Sequence, residues 1–348
     1  MLTSWKKLSG LLMMLYLVGL FATIASGQTK PPKDPKVKTP APFPAPGPTT
    51  PGFFHGGGDT TEAAKAVDPS VTVKLCVAEG DLKINGWNRN EVRVFVKEGR
   101  KFTMKALEKS PESGKINWLW VVNNSEGGPA MNSDCLAGER IEIDAPQGAS
   151  FELAGRAART SVDSIKKVKV KILEGVINLR NIPGGINAYT GQGDVIVENS
   201  GGSIALESTT GNIVAAEVNA GQIGETLRAK TNSGAISFQK VLHRQIEASS
   251  ISGTLTFEGK FLAGGIYTFR TSNGAIRLGI PVGSSCSIKA TYGLGAFSSE
   301  FPLKIITEND TPRAKTVFGK IGDGAATVSL TTSTGSISIK RAGAAAIP

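Results

Sequence analysis

Gly175-Val176-Ile177-Asn178-Leu179-Arg180-Asn181-Ile182-Pro183-Gly184-Gly185-Ile186-Asn187-Ala188-Tyr189-Thr190-Gly191-Gln192-Gly193-Asp194-Val195-Ile196-Val197 carries one unit three times. The unit is a glycine, a free position, then two apolar residues separated by one variable residue. Ile177 and Leu179 follow Gly175, Ile186 and Ala188 follow Gly184, and Val195 and Val197 follow Gly193. The unit continues in steps of nine at Gly202 (Ile204, Leu206) and Gly211 (Ile213, Ala215), and returns at Gly234, Gly253, Gly274 and Gly335. A hydroxyl- or amide-rich lead-in precedes several of them: Ser208-Thr209-Thr210 before Gly211, Thr231-Asn232-Ser233 before Gly234, Ser250-Ile251-Ser252 before Gly253, Thr271-Ser272-Asn273 before Gly274 and Thr332-Ser333-Thr334 before Gly335. From Gly193 to Gly274 these glycines stand 18, 23, 19 and 21 residues apart. The true period is therefore about twenty residues, with two strand-plus-turn halves in each.

Such a period predicts an all-β fold, a β-solenoid or parallel β-helix-like stack of coils. One short strand cannot bury its apolar face alone, whereas coils stacked about 4.8 Å apart pair each strand with its counterpart one turn later. Glycine permits the tight corner, and Thr, Ser and Asn can hydrogen-bond between corners. The repeats are placed at 146–340, which is room for roughly ten coils of about 20 residues. An antiparallel β-sandwich is the alternative, since nine-residue steps also suit hairpins.

Working outward, a small N-terminal β segment occupies 71–145. Val71-Thr72-Val73-Lys74-Leu75 and Val92-Arg93-Val94-Phe95-Val96 alternate, a turn lies at Gly86–Asn90, and Ile141-Glu142-Ile143 closes the segment before Pro146. A short helical piece near Thr61–Val67 is the one departure from the two-residue period. Residues 31–52 hold nine of the 18 prolines, so 28–70 reads as a proline-rich linker, a spacer or a docking segment for a partner module. Residues 341–348 are a tail.

The first 27 residues read as a secretory signal: Lys6 and Lys7, an apolar run from Leu8 to Ala25, then Ala25-Ser26-Gly27 as a small-residue cleavage site. Left uncleaved, the run would act as a membrane anchor. Cleavage removes two lysines and no acidic residue, so the net charge falls from +10 to +8. The expected location is the periplasm, the cell surface or the extracellular space, and nucleic acid is not an expected partner.

Composition narrows the chemistry. Two histidines and three cysteines in 348 residues leave little for a metal, haem or cluster site, so no metal and no cofactor is expected. Calcium-binding nonapeptide repeats need an aspartate in nearly every repeat, yet Asp194 is the only aspartate between Gly175 and Leu278. Glu198 and Glu207 hold equivalent places nine residues apart, which sends them to opposite faces of a two-sided coil. His55 and His243 have no evident triad partner, and no G-x-S-x-G elbow or phosphate-binding loop occurs. No catalytic residue is assigned.

Three features remain as candidate contacts. Lys167, Lys169 and Lys171 alternate with Val168, Val170 and Ile172, which makes an outward cationic stripe, either a site for an anionic ligand or a solvated strand face. Cys76 and Cys135 are the candidate disulfide, which leaves Cys286 free or buried as a small apolar residue. Trp118 and Trp120 share one strand face, and Trp87 lies in the turn; these tryptophans are either contact points on which a sugar could stack or, for the strand pair, core.

The stretch Gly80-Asp81-Leu82-Lys83-Ile84-Asn85-Gly86-Trp87-Asn88-Arg89-Asn90-Glu91-Val92-Arg93-Val94, the strand ending at Pro146, Gly191-Gln192-Gly193-Asp194-Val195 and Leu278-Gly279-Ile280-Pro281 together resemble the bacterial putative-adhesin family, domain of unknown function 4097, over about residues 71–340. The chain departs from its usual Gly-Asp-Ile by carrying Asn, Ser, Ala or Thr after most repeat glycines. The resemblance implies an exported, non-enzymatic β-solenoid of the cell envelope. The expected role is an envelope-associated binding or structural module, with an envelope or extracellular polysaccharide or a surface protein as its partner. A solenoid enzyme acting on polysaccharide is the competing expectation, and a regulatory partner in envelope stress the third.

Overall fold

A computed structural model describes residues 60–124, 134–311 and 314–342; all belong to one unit, Gly56–Pro348. The signal, most of the linker, His55 and most of the tail lie outside the described residues. Among the described residues there is no helix. The chain opens with β1 (Thr60–Trp87), β2 (Glu91–Lys97), β3 (Phe102–Lys109), β4 (Ile116–Asn123), β5 (Leu136–Pro146) and β6 (Ser150–Asp163). Six strand pairs follow: β7 (Lys167–Glu174) with β8 (Ile177–Arg180), β9 (Ile186–Gln192) with β10 (Val195–Glu198), β11 (Ile204–Thr210) with β12 (Ile213–Ala216), β13 (Thr226–Ser233) with β14 (Ile236–Gln239), β15 (Gln245–Ser252) with β16 (Leu255–Glu258), and β17 (Ile266–Asn273) with β18 (Ile276–Ile280). The last six are β19 (Cys286–Leu294), β20 (Phe297–Ser299), β21 (Lys304–Thr311), β22 (Ala314–Ile321), β23 (Ala326–Thr334) and β24 (Ile337–Arg341).

All 24 strands join one hydrogen-bonded sheet that folds over into two faces. The longer strand of each coil pairs in parallel with the longer strand of the next, from β7 through β9, β11, β13 and β15 to β17. The four- and five-residue strands β8, β10, β12, β14, β16 and β18 do the same on the other face. This parallel, open stack is a β-solenoid, and the parallel register removes the sandwich alternative. Apolar side chains point inward from both faces. Where one face contributes Ala215, Leu206 stands on the other; where one contributes Ala229 or Ala248, the other brings Phe238 or Phe257. Trading volume between faces keeps the interior filled at constant coil spacing.

The repeat glycines form a single column. A Cβ on Gly193, Gly211, Gly234, Gly253, Gly274 or Gly335 would overlap the carbonyl oxygen of the column's preceding glycine, and all but Gly274 hold φ between +140° and +159°, as at Gly211 (+149°) and Gly234 (+155°). The same carbonyls accept hydroxyl hydrogen bonds from the next coil. Thr190 donates to Gly175 at 3.0 Å, Ser208 to Gly193 at 2.9 Å, Thr231 to Gly211 at 3.0 Å, Ser250 to Gly234 at 3.0 Å, Thr271 to Gly253 at 3.0 Å and Thr332 to Gly274 at 2.9 Å. The lead-in hydroxyl and the glycine three residues later thus answer one requirement. Asp194 and Asn212 add side-chain oxygens that accept the amide N–H of Asn212 and Ala235.

Two parts of the chain depart from the expected order. β1 starts at Thr60, eleven residues before the expected β segment, and Thr61–Val67 is strand rather than helix because residues 60–66 pair antiparallel with β2. The rest of β1 pairs with β4, β5 and β6, so the segment before Pro146 and the repeats after it share one continuous stack. At the far end β23 lies between β17 and β19, and β24 between β18 and β20. The column of glycines accordingly runs Gly274, Gly335, Gly295. β21 and β22 close the stack as antiparallel strands.

Cys76 is bonded to Cys135, with Cα atoms 4.4 Å apart and a sequence separation of 59. Closing a loop of that length removes about 4 kcal/mol of denatured-state entropy in the chain-entropy treatment. Replacing both cysteines by serine is expected to lower unfolding free energy by about 2–5 kcal/mol, read by urea denaturation. Gly211→Ala should destabilise by about 3 kcal/mol or more, through both overlap and φ. Thr231→Val, which loses only the hydroxyl, should cost about 1 kcal/mol in the same assay. Equal effects would contradict the account of the column.

Candidate ligand-binding face

Strand β7 alternates exposed Lys167, Lys169 and Lys171 with buried Val168, Val170 and Ile172. The lysines therefore stand on the outer side of the long-strand face. No carboxylate lies within ion-pairing distance of any of the three among the described residues, although Glu152 is the cross-strand neighbour of Lys169. Lys171 Nζ sits 5.5 Å from the ring centre of Tyr189 on β9. Further along the same face two cations are matched, Arg228 with Glu247 at 3.7 Å and Lys230 with Glu207 at 3.6 Å. A shallow depression of about 560 Å³ crosses β7, β9, β11 and β13, with Lys167, Lys169 and Arg228 around Asn187 and Ala205. The surface is open and gently dished, suited to lying against an extended ligand rather than enclosing a small one.

Trp118 and Trp120 are not core residues. On β4 they alternate with buried Leu119 and Val121, and point outward on the long-strand face. The strand is apolar on both sides, so the sequence pattern alone does not say which side is inward; the partner strand β1 decides it, because Leu75 and Val73 lie inward beside Val121 and Leu119. Trp87 closes the turn after β1, with Nε1 donating to Glu91 O at 2.8 Å and Arg89 and Arg93 over its ring.

Glu198 ends β10 and Glu207 lies on β11, so they stand on different faces. The short-strand face carries a second polar cluster. Arg180 on β8 is flanked across the strands by Asp163 and Glu198. Asp163 accepts from Arg180 Nη2 at 2.5 Å, Asn181 Nδ2 at 2.7 Å and Ser164 Oγ at 2.7 Å. Burial pushes its carboxyl up, but these donors together outweigh burial and hold it below the usual range. Asn199 donates to Asn181 at 2.6 Å, and Ser164, Asn181 and Asn199 all adopt positive φ, a conformation short amide side chains tolerate. With its oxygens engaged, Asp163 is a corner brace.

Among the described residues no cluster of three metal-ligating side chains occurs. Cys286 is buried in β19, and burial pushes its thiol to about 11, which leaves it a small core residue. His243 is fully buried at a corner, with Nε2 2.9 Å from Gly202 O two coils away and Nδ1 without a partner. The corner between them bulges outward, where Glu225 accepts from Gln222 N, and the imidazole fills the gap. Nothing in the sequence marks this role, because the neighbouring corners hold glycine or serine. Burial lowers the His243 pKa from 6.5. Below that pH the unfolded chain takes a proton that the native imidazole refuses, so stability falls as pH drops through 6.5. His243→Gln should flatten the loss between about pH 6.5 and 5, a window above ordinary carboxylate titration, in melts recorded against pH; an unaltered slope would contradict this.

No protein-family model matches the chain, and no curated protein does. Among solved structures, a putative cell adhesion protein from Clostridium sporogenes is similar over 81% of this chain and 100% of its own, at 14% identity and a TM-score of 0.21. The fold described above rests on strand pairing, and that likeness adds nothing to it.

Proposed function

We propose that this chain is an exported, envelope-associated binding module of the adhesin type, without catalytic activity, whose ligand is an anionic polymer lying along the long-strand face. The observation that carries this reading is the set of three lysines in consecutive outward positions of one strand, exposed and without carboxylates in ion-pairing distance, whereas Arg228 and Lys230 on the same face are ion-paired. Unmatched like charges at this spacing repel one another, and an anionic ligand relieves that repulsion. The parallel stack holds them at fixed spacing, so little side-chain scaffold is lost to ordering when a ligand binds. The Cys76–Cys135 bond fits an oxidising compartment, as does the signal-like N-terminus.

A second reading, cleavage of polysaccharide, draws on Asp163 and Glu198 two strands apart around Arg180. Backbone spacing there is about 9.6 Å, two inter-strand steps, within reach of an inverting carboxylate pair. The three donors on Asp163 oppose it. Reducing-end release from polygalacturonate is expected to be absent; its appearance would favour the enzyme.

The test of the main reading is binding of the full chain to polygalacturonate and to polyphosphate. Converting Lys167, Lys169 and Lys171 to glutamine should weaken both by about tenfold at low salt, with the difference shrinking as screening shortens toward 3 Å at 1 M. Binding unaffected by the triple substitution would remove the stripe from the function.

A further inference from the structure

We infer that Trp118 and Trp120 form a sugar-stacking platform continuous with the lysine stripe, so that the ligand of this face is an acidic polysaccharide. The inference rests on the anion-binding reading above and narrows it to a polymer with rings. Register aligns the two features. Trp118 pairs with Thr72, Thr72 with Ser150, and Ser150 with Lys167; Trp120 pairs with Lys74, Lys74 with Glu152, and Glu152 with Lys169. Each tryptophan thus heads a row of outward side chains that ends on a lysine of the stripe. Three inter-strand steps of about 4.8 Å separate them, or about 14 Å.

The chemistry of the rows is mixed. Trp118 is 38% exposed, and Leu173, the outward residue after Lys171 on β7, is 51% exposed, so apolar surface flanks the lysines on this face. Trp120 is half-buried, with Lys74 Nζ 5.7 Å and Lys105 Nζ 5.9 Å from its ring. The second row therefore reads cation, ring, cation, carboxylate, cation: Lys105, Trp120, Lys74, Glu152, Lys169. A polymer with a charge at every short step would set one against Glu152. A chain of rings with spaced acidic groups can lay a ring face on indole and its acids on lysine. Cys76 is outward beside Lys74 on β1, and its bond to Cys135 pins the chain beyond β4, which pre-organises the platform. That bond also separates this surface from the reducing compartment where single-stranded nucleic acid, the other ligand of basic aromatic faces, is met.

The experiment uses the full chain with three probes: polygalacturonate, polyphosphate and oligothymidylate. Trp118→Ala/Trp120→Ala should raise the polygalacturonate Kd by about fivefold, in the range of one or two aromatic contacts, and leave polyphosphate unchanged. In the unmodified chain polygalacturonate should quench tryptophan fluorescence, and the double variant should lose that change. Should the double variant melt early, Trp118→Gln, at an exposed position, must by itself weaken polygalacturonate binding. Unchanged polygalacturonate binding, or equal loss for both polyanions, overturns the platform; the lysine stripe survives if its own triple variant still loses both. Tighter binding to oligothymidylate than to polygalacturonate overturns the sugar assignment. Failure of the unmodified chain to bind either polyanion sinks the platform and the function together.

Discussion

A carbonyl oxygen at each corner of this solenoid occupies the volume where the next coil's glycine would carry a Cβ, and the next coil's hydroxyl donates to it. Gly193 and Ser208, Gly211 and Thr231, Gly234 and Ser250 repeat the arrangement. The contact is individually modest, about 1 kcal/mol for a hydrogen bond net of water. Its effect on register is large. A slip of one residue would place a side chain on a carbonyl and turn every inward apolar residue outward, so the column of glycines sets which side chains face solvent along the whole stack.

The proposed ligand face depends on that setting. Lys169, Asn187, Ala205 and Arg228 lie in one row only because β7, β9, β11 and β13 hold the same register, and the Trp120–Lys74–Glu152–Lys169 row relies on β1 and β6 doing likewise. Side chains far apart in sequence, such as Trp118 and Lys167, become elements of one surface with regular spacing. Functional groups laid out this way are adjusted by substitution at outward positions with little consequence for the interior, because inward and outward residues alternate.

How much of this is legible in the sequence differs from part to part. The repeat glycines and their hydroxyl lead-ins are local, so Gly211 and Thr231 announce the corner without reference to any other coil. The outward placement of Lys167, Lys169 and Lys171 follows from alternation with Val168, Val170 and Ile172. Trp118 and Trp120 defeat the same reasoning, since Leu119 and Val121 are equally apolar and only the partners on β1 break the tie. Thr61–Val67 lacks β-branched residues at most positions and reads as helix; antiparallel pairing with β2 overrides that weak preference. Glycine spacing cannot order Gly295 and Gly335, because either satisfies the corner above Gly274. His243 is opaque for a related reason: its partner, Gly202, lies two coils away and depends on an insertion between them.

The intercalated strands β23 and β24 give the chain an unusual relation between its end in sequence and its place in space. Ala326–Arg341 forms an inner layer, flanked on both faces by parallel neighbours. The stack therefore cannot be completed by adding coils one after another from the amino end. β17 and β18 keep an unsatisfied edge until the closing strands exist, so a nearly finished chain still carries an open seam inside its sheet. Closure of that seam waits for Ala326–Arg341, so coils that precede these strands in sequence become fully paired only after them.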